Sequence, residues 1–203
     1  PLSTFNWQLA DANAQGTKTV IGENAFFSSG IVDITIPGDN LQIGKKAFSC
    51  CSSIKSMTAL CRTITIGDQA FMYAEFESFS LPNAGSVGGG TGKLGDSSFF
   101  SCGLKSFVVP ASIQKIEAKA LSSKKVTKVS LSSKNKTYKM ANNCIYRKSN
   151  GTLTAVLVKT KKITIPSKVK VIDDTVSVMG KIGTKNQVHI PKSVNKVVER
   201  WIF

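Results

Sequence analysis

Hydrophobic and polar residues alternate along this chain in short bursts: Ile34-Thr35-Ile36, Phe79-Ser80-Leu81, Phe107-Val108-Val109, Ile163-Thr164-Ile165 and Val188-His189-Ile190. A period of two in β-branched and aromatic residues predicts a strand with one buried face. A proline follows every burst, at positions 37, 82, 110, 166 and 191. Proline cannot donate to a ladder, so each strand should end there. A second phrase follows at a fixed distance: VIGENAF (20–26), then QIGKKAF, TIGDQAF, KLGDSSF and KIEAKAL, with degraded copies VIDDTVS and VVERWI. Its anchors are Ile21, Ile43, Ile66, Leu94, Ile116, Ile172 and Val197, spaced by 22, 23, 28, 22, 56 and 25 residues. The interval from proline to anchor is six residues for Pro37, Pro110, Pro166 and Pro191. Repetition at this length predicts a solenoid: a strand, a proline turn, a second extended or turning stretch through Ile-Gly, and a corner.

The corner pairs a small residue with a large one, in Ala25-Phe26, Ala47-Phe48, Ala70-Phe71 and Ser98-Phe99. Three residues after each phenylalanine come Ser29, Cys51, Ala74 and Cys102, all small. Stacked turn upon turn, these positions predict a buried phenylalanine spine beside a small-residue ladder.

These phrases closely resemble the BspA-like leucine-rich repeats, whose consensus runs IP-x-x-V-x-x-I-G-x-x-A-F-x-x-C-x-x-L. The resemblance spans about residues 20–202 and is strongest where IGENAF, IGKKAF and IGDQAF stand intact. Further on, Glu117, Asp173 and Val198 replace the glycine, and Leu121 and Ser177 replace the phenylalanine, so less regular turns are expected. The fold expected is α/β but β-rich: a right-handed leucine-rich-repeat solenoid with a parallel sheet, short helical or 3-10 corners and an inserted β-hairpin. The whole chain, 1–203, is expected to form one solenoid of about seven turns, with 1–19 a cap or partial repeat. The resemblance also implies an exported or surface-attached protein, with adhesion to host or matrix proteins in some members.

Two insertions interrupt the array. Between Pro82 and Leu94 the interval is 12 residues and contains NAGSVGGGTGK. A phosphate loop would need glycine at position 87 and serine or threonine at 94, where this chain has valine and leucine, so that chemistry is excluded. The second insertion, 132–162, holds Cys144–Arg147 and Leu153–Val158 around KSNGT, and Asn150-Gly151 is a strong hairpin signal. The last residues, Trp201, Ile202 and Phe203, leave an apolar end that should either continue into more chain or fold back as a plug.

With 203 residues, 41% hydrophobic and 19% charged, the composition is that of a folded globular chain. No apolar run approaches the ~18 residues of a membrane span. The first twenty residues lack the charged start and apolar core of a signal peptide. The expected extracellular or cell-surface location therefore comes from the resemblance alone.

Charge is distributed unevenly. Residues 1–100 carry six basic and eight acidic side chains; the other 103 carry 21 and four, a net of +17 in the C-terminal half. Such asymmetry should attract polyanions at low salt, although only three of the 27 basic residues are arginine, which disfavours bidentate phosphate recognition. Candidate polyanion-binding residues are Lys124, Lys125, Lys128, Lys159, Lys161, Lys162, Lys168 and Lys170, with Lys134, Lys136 and Lys139 nearby.

Catalytic chemistry is sparse. His189 is the one histidine, with no acidic partner poised beside it in sequence, and no pair of the five cysteines has CxxC spacing. Neither catalysis nor a metal or other cofactor is expected. Cys51 and Cys102 share a register two turns apart, about 10 Å at the strand spacing, beyond disulfide reach; they should be buried thiols. Cys50, Cys61 and Cys144 stay open as disulfide partners.

What remains is surface. With Ile34 and Ile36 inward, Thr35, Thr58, Ser80, Val108, Ser130, Thr164 and His189 should form one outward column on the concave side, flanked by Asp33, Ser56, Ser78, Ser106, Lys128, Lys162 and Gln187. A non-enzymatic module binding a protein through this face is one expectation. Capture of a glycosaminoglycan, cell-wall polymer or nucleic acid by the lysines is the other.

Overall fold

The glycine of each Ile-Gly pair shows how tightly successive turns approach. A Cβ on Gly67 would lie 2.7 Å from backbone atoms of Gly44 and Lys45, and one on Gly44 equally close to Gly22 and Glu23. Only a residue without a side chain lets the coils stack at that distance. The computed structural model describes residues 4–6, 16–81, 91–183 and 185–198. The apolar end at Trp201–Phe203 and most of the glycine-rich insertion, residues 82–90, lie outside the described residues.

Each early coil contributes two strands, one to each of two parallel sheets. The first sheet takes β1 (Thr4–Asn6), β3 (Asp33–Ile36), β5 (Ser56–Ala59) and β7 (Ser78–Ser80), in that order. The second takes β2 (Lys18–Ile21), β4 (Asn40–Ile43), β6 (Thr63–Ile66), β8 (Gly92–Leu94) and β10 (Ile113–Ile116), again in coil order. The Ile-Gly stretch, legible in sequence only as extended or turning, is thus a full sheet strand. Further along, β9 (Ser106–Val109) pairs in parallel with β11 (Lys128–Leu131).

Between the sheets lies the core. Ile34, Ile36, Met57 and Ala59 face Leu41, Ile43, Ile64 and Ile66, all buried. At the corners, the Phe26, Phe48, Phe71 and Phe99 rings stack with centroids 5.0, 5.4 and 5.1 Å apart and planes within 19° of parallel. Phe48, Phe71 and Phe99 are buried, and Phe26, on the first complete corner, is partly so. Cys51, Ala74 and Cys102 form the adjoining ladder, fully buried.

The expectation of helical or 3-10 corners is wrong: the described residues contain no helix, and the architecture is a β-solenoid. Hydrogen-bond allocation explains why. In the second corner the N–H groups of Lys46, Phe48 and Cys50 donate to carbonyls of the next coil, those of Asp68, Ala70 and Met72. Only the alternate N–H groups, of Ala47, Ser49 and Cys51, close local turns three residues back. A helix needs every N–H for its own ladder; here every second one ties coil to coil. The geometry also demands left-handed residues four apart, met at Asn24 and Ser28, Lys46 and Cys50, Gln69 and Tyr73, and Ser97 and Ser101, with φ between 51° and 61°. Helix-forming composition in KKAF or DQAF is overridden by neighbours 22 or more residues away.

The second insertion forms a three-stranded meander, β12 (Tyr138–Ala141), β13 (Cys144–Arg147) and β14 (Leu153–Leu157), antiparallel throughout. Asn142 and Asn143, both at positive φ, make the first turn, and Gly151, at φ 69°, lies in the second. Strand β14 then pairs in parallel with β17 (Ser177–Met179). Beyond the meander, Leu121 N donates to Ser177 Oγ (3.0 Å) and Val178 N to Ser122 Oγ (3.2 Å), each joining residues 56 apart. That separation equals the interval from Ile116 to Ile172, so the fifth corner stacks on the next one across the excursion. Serine at position 177 supplies by side chain an acceptor that earlier corners supply by backbone.

Strands β13 and β14 are buried on both faces. Ile145, Ala155 and Leu157 join the main core, while Cys144, Tyr146, Leu153 and Val156 join a second one with Ile163, Ile165, Val169, Ile172 and Val176. The last coils pair β15 (Lys162–Thr164) with β18 (Gln187–His189), and β16 (Val171–Ile172) with β19 (Lys196–Val197).

Candidate binding surfaces

Alternation along β3 buries Ile34 and Ile36 and leaves Asp33 and Thr35 exposed. Parallel registry carries Thr35 to Thr58 and Thr58 to Ser80, and Asp33 to Ser56 and Ser56 to Ser78, giving two short polar rows across three coils. Ser56 Oγ donates to Asp33 Oδ1 at 2.5 Å. The remaining candidates fall into separate pairs: Val108 beside Ser130, and Thr164 beside His189. The seven-residue column expected from sequence is therefore three ladders in the described pairing, and the meander accounts for the break between β11 and β15. His189 is exposed near the end of β18.

A second outward face was not singled out from the sequence. On β2, β4, β6, β8 and β10 the outward residues Val20, Gln42, Thr65, Lys93 and Lys115 lie in one row, and Lys18, Asn40 and Thr63 in another. The signal was present as alternation in KTVI, NLQI and TITI, hidden because each run sits against the Ile-Gly anchor. At one end of this face Lys115 and Lys93 hold the Glu117 carboxylate at 2.6 and 3.2 Å, keeping its pKa below the ordinary value, Lys115 contributing most. Glu117 stands where earlier coils have glycine, and the register of β10 on β8 shifts between Ile113 and Lys115 just before it. At the sheet's other margin Arg62 grips Asp39 through two nitrogens, and Gly16 N donates to Asp39 Oδ2 at 2.9 Å. The Arg62 hydrogen bond, chiefly, lowers the Asp39 pKa to about 2.

The eight candidate lysines are all exposed. Two of their three groups meet, because Gly180 N donates to Ser123 O (2.9 Å) and Val158 N to Met179 O (2.8 Å), so the chain runs on toward Lys124, Lys159 and Lys181 from neighbouring positions. Lys124, Lys125 and Lys128 lie before and at the start of β11; Lys125 Nζ is 2.5 Å from Glu75 and so is partly neutralised. Lys159, Lys161 and Lys162 precede or begin β15, at the opposite end of that strand from Lys168 and Lys170. Asn186 organises the first of these groups. Its Nδ2 donates to Thr160 O (3.0 Å) and Lys161 O (3.4 Å), and Gln187 N donates to Lys161 O (2.7 Å). This brings the loop carrying exposed Lys181 and Lys185 against Lys159–Lys162, two basic residues that sequence order alone does not place there.

All five cysteines are free thiols. Burial pushes Cys61 and Cys144 up to about 12 and Cys102 up to about 11. Among the described residues no group of three or more histidine, cysteine or acidic side chains could hold a metal, and no helix is long and apolar enough to cross a membrane.

Two parallel sheets, a phenylalanine spine and coil-to-coil hydrogen bonding define a leucine-rich-repeat-type β-solenoid. The profile of the BspA type leucine rich repeat region matches residues 6–89 and 64–199 in six copies, and the chain belongs to that family. A solved structure of similar fold is a leucine-rich repeat protein from Eubacterium ventriosum ATCC 27560. It is 24% identical, with a TM-score of 0.64, over 88% of this chain and 46% of that one. The chain thus spans about half the length of that protein. No curated protein matches it.

Proposed function

We propose that this chain is a non-enzymatic binding module of an exported or cell-surface protein, acting as one solenoid of about seven turns. It engages a protein ligand of host or matrix origin through the first sheet's outer face. The observation that carries the reading is the in-register row Thr35, Thr58 and Ser80 beside Asp33, Ser56 and Ser78. Short side chains on a rigid parallel sheet can be covered by a partner at small entropic cost. Family membership supports the same reading, since repeat solenoids use such extended surfaces for binding. The test is saturable binding to an immobilised extracellular-matrix layer, abolished by Thr35→Glu with Thr58→Glu. Binding no greater than that of an unrelated protein of equal pI would reject it.

A second reading rests on the convergence of Lys159, Lys161 and Lys162 with Lys181 and Lys185. Here the ligand is a polyanion held by charge, with Lys168 and Lys170 beyond the far end of β15 and Lys124, Lys125 and Lys128 on the segment that Gly180 N ties in through Ser123 O. Counterion release makes such binding fall steeply with salt. Retention on heparin above ~0.15 M salt, weakened by charge reversal at Lys159, Lys161 and Lys162 but not at Lys45 and Lys46, is the expected outcome. Elution below that point, or equal effects of the two mutant sets, would remove it.

A further inference from the structure

The outer face of the second sheet carries a groove of about 360 Å³ lined by Lys18, Asn40, Gln42, Thr63 and Thr65, with the Gly92 backbone at one side. We propose that this groove binds a neutral glycan chain laid across β2, β4, β6 and β8, about one sugar unit per coil. The inference is independent of both readings above, which use the other sheet and the C-terminal lysines.

The lining chemistry selects the ligand class. Amide and hydroxyl side chains each donate and accept hydrogen bonds, as sugar hydroxyls do, whereas a row of ammonium groups would only donate. Lys18 is the one charged side chain of the lining; Lys93, next to Thr65 in the row, is paired with Glu117, and the half of the chain that carries the groove has a net charge of −2, so no strong field draws a polyanion here. Spacing fits as well. Adjacent strands lie ~4.8 Å apart, close to the length of one hexose in a chain, and Gln42 and Thr65 are direct neighbours in register, as are Asn40 and Thr63.

Thr63 Oγ1 donates to Asn40 Oδ1 at 2.5 Å, which pre-orients that pair. Gln42 and Thr65 have no side-chain hydrogen-bond partner among the described residues and keep their full capacity for a ligand. A peptide adding as a strand is excluded on this face, because the backbones of β2, β4, β6 and β8 are hydrogen-bonded to one another. With no aromatic platform in the lining, affinity per site is weak, and useful binding would come from several contacts along the polymer.

The experiment is an amide-resolved NMR titration of the full chain with cellotetraose, N-acetylchitotetraose and a heparin-derived tetrasaccharide. A neutral tetrasaccharide should give saturable shifts confined to Asn40–Ile43, Thr63–Ile66 and their neighbours, unchanged between low and high salt. Gln42→Ala with Thr65→Ala removes two hydrogen-bonding groups and should raise the dissociation constant about tenfold. Both side chains are at least partly exposed, so the variant's dispersed spectrum will verify that it folds. Ser52→Ala with Ser53→Ala, exposed and outside every surface proposed above, should leave the titration unchanged. The proposal is overturned if neither neutral probe shifts these amides, if the groove variant binds as before, or if only the heparin fragment binds and salt abolishes it.

Discussion

Phe48 lies between the rings of Phe26 and Phe71, with no exposed surface, at the centre of the spine. Truncation would leave a cavity between two coils that cannot move together without breaking their hydrogen bonds, so Phe48→Ala should destabilise by ~3–5 kcal/mol. Phe26→Ala should cost less, because that ring is only partly buried; urea unfolding of both variants checks the order. The cysteines make a second expectation. Cys51, Cys61, Cys102 and Cys144 are buried and their thiols stay protonated at pH 8, whereas Cys50 is partly accessible. In native buffer a thiol reagent should modify Cys50 first and the other four only on unfolding. Asp39 supplies a pH dependence. Its folded pKa, about 2 against an ordinary 3.8, means that its pairing with Arg62 and Gly16 stabilises fully above the ordinary value and is lost as pH falls toward 2. Asp39→Asn should flatten the acid limb of the stability profile over that window, as read by thermal melting.

At the scale of the element, the repeat glycine is a test of coil stacking. Gly67→Ala forces a Cβ to within 2.7 Å of the Gly44 and Lys45 backbone, and should destabilise by about 1–3 kcal/mol through overpacking. Gly22→Ala, at the equivalent position of the first such coil, meets nothing within 4 Å and should be close to neutral. Equal effects at the two sites in denaturant melts would contradict this account of the glycine. The strands before each proline, the spine and the ladder were legible in sequence because a period of two and a repeat of 22 or 23 are local patterns. The second hairpin turn was legible from Asn150-Gly151. The strand Tyr138–Ala141 was missed, although Asn142-Asn143 tolerates the left-handed turn that defines it. Its position depends on distant groups: Tyr138 Oη accepts from Ile116 N at 2.9 Å, and Arg147 donates to Gln114 O at 3.1 Å, which gives two backbone groups of β10 their partners.

For the whole molecule, the meander decides whether the two cores behave as one. Because β13 and β14 are buried in both, loosening either core exposes the strands that complete the other. Phe71→Ala in the first core and Leu153→Ala in the second should therefore shift the same single unfolding transition; a calorimetric trace split in two by either would show independent units. The repeat, the strands before its prolines, the phenylalanine spine and the charge asymmetry can be read from the chain, since each is carried by residue type and spacing. Tertiary structure alone decided that the corners are not helical, that each early coil feeds two separate parallel sheets, and that Lys181 and Lys185 join Lys159–Lys162. It also decided that Gln42 and Thr65 lie side by side over a groove. The physical reason is common to all four: a backbone N–H or an exposed side chain finds its partner on a neighbouring coil, 22 to 56 residues away, and no local pattern records which coil that will be.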